Sequence, residues 1–188
     1  VYEAVLNGSR VGQYVLAPGW TSYKSRLQYQ VYDITQLLKD ENRLSVTVGK
    51  GWYRSPVPGW ITEEGKAEKA AIPAGLLAEI VITDKEGNTT CIGTDESWKA
   101  GESKIRFSEI YDGETFDAGF EAEEYFPAAV FEWTKDNLIP QEGEEITEQE
   151  YVKAASVFTA PNGETVVDFG QEVTGYVQFT LDARAGDK

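Results

Sequence analysis

The chain has 188 residues, 41% of them hydrophobic, and a net charge of −15 from 32 acidic and 17 basic side chains. This acidic balance argues against nucleic acid and anionic membrane surfaces as partners, and no apolar run of about 18 residues is present to span a bilayer. The absence of histidine and the presence of a single cysteine, Cys91, exclude His/Cys zinc sites and Ser-His-Asp or Cys-His nucleophilic sites.

Short alternating segments typical of β-strands follow one another along the chain. Residues 1–16 predict two strands joined at Asn7-Gly8, a favoured two-residue hairpin turn. A short helix is predicted at 34–39, capped by Asp33 or Thr35. Many short strands with almost no helix predict an all-β fold, a sandwich or a barrel. The further predicted strands lie at 26–34, 44–53, 75–93 (a hairpin turning at 86–88), 104–111, 154–160, 164–170 and 176–183.

Two charged stretches interrupt this pattern. Residues 61–72 are rich in Ala and charge, which predicts a surface excursion or a small helix. The segment 135–152 combines Pro, Gly and several glutamates and predicts an acidic linker. We therefore expect a β-sandwich at 1–134 and a truncated second β unit at 153–188. Because the sequence begins within a strand-like run, we also expect it to be cut from a longer protein.

Aromatic side chains stand in segments that Gly and Pro mark as loops. Trp20 and Tyr23 lie in one loop, Trp52, Tyr53, Arg54 and Trp60 in a second, and Asp112 and Glu114 in a third. A sugar ring stacks its C–H face on aromatic rings and needs carboxylates and Arg for its hydroxyls, so these loops would form a sugar site if they converge.

Structural roles compete with this interpretation. Trp20 and Trp52 follow strands closely, and each could cap the core with one edge exposed. Trp98 follows strand-like residues and is predicted to be a core residue, whereas Trp133 could pin a contact between domains. Cys91 lies in the strand-like run "TTCIG" and is predicted to be a buried, unreactive thiol.

The acidic stretch "YDGETFDA" raises the question of a metal ion. Asp112, Glu114 and Asp117 could supply oxygen ligands for calcium, although they lack the spacing of an EF-hand loop. A turn with solvated acids is the favoured interpretation. No cofactor is therefore predicted, and calcium is the one ion left open.

The ordered series of motifs resembles the amino-terminal β-sandwich of bacterial α-L-rhamnosidases. It consists of "NG" at 7–8, "VG" at 11–12, "PGWTSY" at 18–23, "LQYQVYDITQLL" at 27–38 and "LSVTVGKGWYR" at 44–54. The similarity continues through 94–118 and 136–143, and residues 163–188 resemble the first strands of the following concanavalin-like domain.

The resemblance implies a jelly-roll (galactose-binding-like) sandwich from a multidomain glycoside hydrolase that releases terminal L-rhamnose with inversion. The family's catalytic acid and base lie on a separate (α/α)₆ barrel further along the polypeptide, so no catalytic residue is assigned to this sequence. Some members bind rhamnose through calcium in a sandwich. A bacterial cytoplasm is the favoured compartment, though the sequence leaves it open.

Two hypotheses follow. In the first, the chain is an accessory module that packs on the catalytic domain, shapes its pocket and carries no activity of its own. In the second, it is an independent module that binds rhamnose or a rhamnose-containing glycan, with or without calcium. Lacking histidine, a metal motif and a cofactor loop, it is not expected to act as an enzyme by itself.

Overall fold

The computed structural model describes residues 1–56, 61–122, 124–180 and 182. Short β-strands make up most of the regular secondary structure of these residues, which confirms the predicted all-β class. The strands are Tyr2–Leu6 (β1), Ser9–Arg10 (β2), Leu27–Tyr29 (β3), Leu44–Val48 (β4), Glu79–Thr83 (β5), Thr89–Gly93 (β6), Lys99–Ala100 (β7), Ile105–Glu109 (β8), Gly113–Phe116 (β9), Phe126–Pro127 (β10), Leu138–Pro140 (β11), Ser156–Thr159 (β12) and Thr165–Asp168 (β13). The helices are Gly51–Arg54 (α1) and Glu63–Ala71 (α2), with a 3₁₀ turn at Thr35–Leu37.

The amino-terminal sheet has the order β2-β1-β4, with both pairings antiparallel. Asn7 and Gly8 join β1 to β2 with φ angles of 55° and 87°, the left-handed conformation that the predicted two-residue turn requires. The second predicted strand was expected to reach residue 16 but ends at Arg10. Left-handed backbone at Gly12 and Leu16 prevents it from continuing.

Three further elements differ from their predictions. The strand predicted at 44–53 ends at Val48, and α1 starts at Gly51, whose φ of 51° is incompatible with an extended chain. The helix predicted at 34–39 is a single 3₁₀ turn, preceded by the Asp33 carboxylate, which accepts a hydrogen bond from the Thr35 amide at 2.9 Å. Residues 176–180 form no strand, and 181 and 183 lie outside the described residues.

The remaining pairings are two-stranded. The hairpin predicted at 75–93 is confirmed as β5 and β6, and the small helix predicted within 61–72 is confirmed as α2. The strands β8 and β9 form another hairpin, and β7 pairs with β10. Within the segment predicted as a linker, β11 pairs in parallel with β3, Leu138 facing Leu27. The jelly-roll arrangement stays a prediction.

The chain divides into two units, 1–147 and 148–188. In the second unit, β12 and β13 form an antiparallel hairpin, with Ser156 opposite Asp168. Among the described residues, no helix combines the length and the apolar character needed to cross a bilayer.

Few side chains are fully buried. In the first unit the buried hydrophobic residues of the described chain are Leu6, Tyr14 and Ala17. Cys91 is exposed rather than buried, and Trp98 is half-buried rather than part of a core. The physical reason for Cys91 is that the faces of the β5–β6 hairpin are left largely uncovered, and Val81, Ile82 and Ile92 on the same hairpin are exposed as well.

Candidate functional site

The loop that carries Trp20 and Tyr23 is fixed by hydrogen bonds at its start. The Ala17–Pro18 peptide bond is cis, and the Ala17 carbonyl accepts a hydrogen bond from the Tyr2 amide at 2.9 Å. Gly19 has a φ of 84°, and its carbonyl accepts a hydrogen bond from the Tyr23 hydroxyl at 3.0 Å. The loop therefore presents its aromatic rings from a defined backbone.

In the structure the second predicted loop contains α1, on which Trp52, Tyr53 and Arg54 lie, and it is held by the carboxyl-terminal turn of α2. The Lys69 ammonium group donates hydrogen bonds to the carbonyls of Trp52 (3.0 Å) and Ser55 (2.9 Å). The Arg54 guanidinium group donates to the Ala70 carbonyl at 2.6 Å. These contacts satisfy carbonyls at the ends of two helices, which have no partner within the helix. Nothing in the sequence pattern indicated that Lys69 would do this.

The two loops meet through their rings, in what we call the aromatic cluster (Trp20, Tyr23, Trp52 and Tyr53). Trp20 and Trp52 are stacked, with ring centroids 6.0 Å apart and planes at 10°. Tyr23 and Tyr53 make an edge contact at 5.4 Å and 82°. Both distances lie within the range for direct aromatic contact, so no ligand ring fits between either pair. A ligand could stack only on an outer face.

Exposure differs sharply across the aromatic cluster. Trp20 is 62% exposed, whereas Tyr23, Trp52 and Tyr53 are half-buried. Burial, together with the nearby Tyr14, raises the pKa of Tyr23 to about 12. Burial also raises the pKa of Tyr53. Both hydroxyls therefore stay neutral at physiological pH, and Trp20 is the ring with the most surface available to a ligand.

Two polar atoms beside the aromatic cluster are buried without a hydrogen-bond partner, Arg54 Nε and Ser55 Oγ. Ser55 is fully buried. Arg54 was predicted to contact a ligand, and its Nη2 is instead committed to the Ala70 carbonyl. Its unpaired Nε is buried and therefore not accessible to a ligand in this conformation. Trp60, which was predicted on the same loop, lies outside the described residues.

The third predicted loop is the turn between β8 and β9. Asp112 and Glu114 are exposed there, and neither carboxylate forms a hydrogen bond or an ion pair with any described residue. The turn is held by Glu109, a residue that sequence reasoning missed. Its carboxylate accepts hydrogen bonds from the amides of Tyr111 (2.6 Å) and Asp112 (3.0 Å), and it is only 6% exposed.

The ring contacts thus join the first two loops, and no described hydrogen bond, ion pair or ring contact links Asp112 or Glu114 to them. The Asp117 carboxylate, the third ligand considered for calcium, accepts a hydrogen bond from the Gly119 amide at 3.0 Å. Within the described ranges, no group of three or more carboxylate or thiol side chains is placed to hold a metal ion.

Comparison with known proteins assigns this chain to a family. The model of the α-L-rhamnosidase N-terminal domain matches residues 1–156. A curated α-L-rhamnosidase from Formosa agariphila is 30% identical over 98% of this chain and 21% of its own length. The chain therefore spans about a fifth of that relative.

Solved structures give the same result. The crystal structure of α-L-rhamnosidase from Aspergillus terreus superposes with a TM-score of 0.81 at 37% identity, over 91% of this chain and 21% of that one. The Streptomyces avermitilis α-L-rhamnosidase complexed with L-rhamnose superposes with a TM-score of 0.77 at 30% identity, over 90% of this chain and 17% of that one. This chain belongs to the family of α-L-rhamnosidase N-terminal domains.

Proposed function

We propose that this chain is a non-catalytic accessory part of an α-L-rhamnosidase, a glycoside hydrolase, and that it packs against the catalytic part of that enzyme. In this proposal residues 153–188 begin a following β domain. Family membership supports the accessory role, because the relatives are about five times as long as this chain. The substrate of the whole enzyme would be a glycoside or glycan with terminal rhamnose.

The observation that carries the packing role is the exposure of large apolar side chains in the first unit. Val130 is 65% exposed, Phe131 48% and Trp133 50%, although Phe131 and Trp133 contact each other edge to face at 6.2 Å. Phe116 on β9 is 59% exposed. Large apolar side chains that are exposed and close in sequence, as Val130, Phe131 and Trp133 are, favour a surface that another body covers.

The first test is an activity assay with 4-nitrophenyl α-L-rhamnoside. We expect no nitrophenol release by the purified chain and release by the full-length enzyme that contains it.

In that enzyme, Trp133→Ser should lower the melting temperature by about 2–4 °C, the shift expected for about 1 kcal/mol in a large domain. Lys85→Ser, at the exposed turn of the β5–β6 hairpin, should not change it. Turnover by the chain alone, or equal melting temperatures for both variants, would contradict the proposal.

A second candidate function is sugar binding by the aromatic cluster. It is favoured by one specific observation, that Trp20 is 62% exposed while its ring is held parallel to Trp52. A rigid ring with a free face suits the C–H face of rhamnose. Arg54 would then be the cationic donor adjacent in sequence to Tyr53, and Asp112 and Glu114, which form no described contact with the rings, would be the candidate acceptors.

Calorimetry of the chain with L-rhamnose, with and without calcium, tests this candidate. We expect a dissociation constant in the micromolar to millimolar range, roughly −8 to −4 kcal/mol. Trp20→Ala should abolish the heat, and Trp133→Ala, which removes another half-exposed indole, should retain it. If the unsubstituted chain gives no heat under either condition, the aromatic cluster has only its structural role.

A further inference from the structure

A cleft separate from the aromatic cluster lies between two connecting segments of the first unit. Residues 101–104 connect β7 to β8, and residues 117–125 connect β9 to β10. Because β7 pairs with β10 and β8 pairs with β9, both segments run between the same two strand pairs. The Asp117 amide donates to the Lys104 carbonyl at 2.8 Å, and the Lys104 ammonium group donates to the Ala118 carbonyl at 2.9 Å. These two hydrogen bonds connect the two segments, which form the walls of the cleft.

The cleft has a volume of ≈ 340 Å³, near the lower end of the range typical of small-molecule sites. Its lining combines aromatic rings with charged and hydroxyl side chains. The lining residues are Glu102, Ser103, Lys104, Phe120, Glu121, Ala122 and Tyr125.

Both aromatic rings of this cleft are held in place by a neighbour. A Cβ atom added to Gly101 would lie 2.9 Å from Tyr125 Cδ1, so the absence of a side chain there lets the Tyr125 ring pack against the backbone. The Arg106 guanidinium group lies 3.8 Å from the centroid of the Phe120 ring. Tyr125 nevertheless remains 54% exposed, which leaves surface for a ligand.

The charged side chains of the lining balance once Arg106 is counted. Glu102 pairs with Arg106 at 2.7 Å, and Lys104 and Glu121 contribute one charge of each sign. Asp117 and Glu124 lie on the same connecting segment as Glu121 but outside the lining, so the lining itself selects neither a cation nor an anion.

Two polar groups of the lining are uncommitted. The Glu121 carboxylate and the Tyr125 hydroxyl form no hydrogen bond with any described residue. They offer an acceptor and a donor beside the rings of Phe120 and Tyr125. A ligand that matches them offers an apolar face to the rings and a hydroxyl group that can donate to Glu121, and it carries no charge.

We propose that this cleft is a subsite for one neutral sugar ring, stacked on Tyr125 and hydrogen-bonded to Glu121. It is independent of the aromatic cluster, since the two share no residue. It would bind a sugar unit of a glycan whatever ligand the aromatic cluster takes.

The test is titration of the isotope-labelled chain by NMR with three probes. L-rhamnose and D-galactose are neutral monosaccharides, and D-glucosamine is a cationic one of similar size. We expect at least one neutral sugar to shift the Gly101 amide at millimolar concentration. Tyr125→Ala should weaken that binding about tenfold or more, because it removes the stacking surface. Tyr111→Ala, which removes a tyrosine 49% exposed in the β8–β9 turn, should leave it unchanged.

Two further variants separate this cleft from other sites. Gly101→Ala removes none of the lining residues but displaces the Tyr125 ring, so it should weaken binding as well. Trp20→Ala should have no effect on the Gly101 shift. The proposal is overturned if no neutral sugar shifts this amide, if only glucosamine does, or if Tyr125→Ala binds as tightly as the unsubstituted chain. Failure here leaves the accessory role untouched, because that role is read from turnover and melting temperature.

Discussion

Replacing Gly12 by alanine should lower the free energy of unfolding of the first unit by about 2–5 kcal/mol. Gly12 has a φ of 72°, and a Cβ atom there would lie 2.3 Å from Tyr32 Cε1 and 2.6 Å from Tyr32 Cδ1. Left-handed backbone costs an L-residue about 1–2 kcal/mol, and overpacking against a ring adds about 1–3 kcal/mol. Tyr32 cannot move freely, because its hydroxyl lies 3.2 Å from that of Tyr2.

Two other glycines distinguish the cost of the left-handed backbone from the cost of overpacking. Gly8 has a φ of 87° but nothing within 4 Å of an added Cβ, so Gly8→Ala should cost only the backbone term, about 1–2 kcal/mol. Gly143 has neither constraint, and Gly143→Ala should be close to neutral. Urea unfolding of the three variants checks the order. If Gly12→Ala lowers the free energy of unfolding no more than Gly8→Ala does, the close approach to Tyr32 contributes nothing to the loss.

Leu6→Ala should destabilise the first unit by about 2–5 kcal/mol, the cost of removing a buried leucine and leaving a cavity. Leu6 is 2% exposed and lies on β1, the central strand of the amino-terminal sheet, opposite Leu44. Few described residues are buried to this degree, so a single truncation removes a large part of the core. The loss is a sizeable share of the 5–15 kcal/mol that is usual for a domain.

The same urea measurement checks this expectation. Val31→Ala is the matched control, since Val31 is 83% exposed and lies outside the strands. It should change the free energy of unfolding by no more than about 0.5 kcal/mol. Equal effects of the two substitutions would show that β1 is not the centre of the core.

The sequence was most informative where a local rule acts on adjacent residues. The turn at Asn7 and Gly8 was predicted because both residues tolerate positive φ, and the structure confirms it. The hairpin of β5 and β6 was found for the same reason. In contrast, the strand predicted through 44–53 was wrong at its end, because aromatic residues with high strand propensity follow a glycine that turns the chain into α1.

Features that depend on distant partners were missed. Leu138–Pro140 lies in an acidic, proline-containing segment, and only its pairing with β3 makes it a strand. The prediction for Cys91 was wrong because an alternating run indicates a strand but not whether another sheet covers its faces. Periodicity alone carries no information on what packs above a strand.

In the candidate site, too, local features could be predicted from the sequence and features that depend on distant residues could not. The aromatic character of the loops at Trp20 and Trp52 can be read from the sequence, and their convergence follows only from the fold. Lys69 and Glu109, which hold the second and third loops, gave no signal, because lone charged residues usually face solvent. Their roles consist of hydrogen bonds to backbone groups, which leave no trace in residue patterns.

The parallel pairing of β3 with β11 has a consequence for how the chain is made. A ribosome adds about 5–20 residues per second, so Leu27 emerges roughly five to twenty seconds before Leu138 is available to pair with it. During that interval β3 has an open edge that can recruit a neighbouring nascent chain. Biosynthesis of this protein therefore passes through a stage at which premature release would favour aggregation.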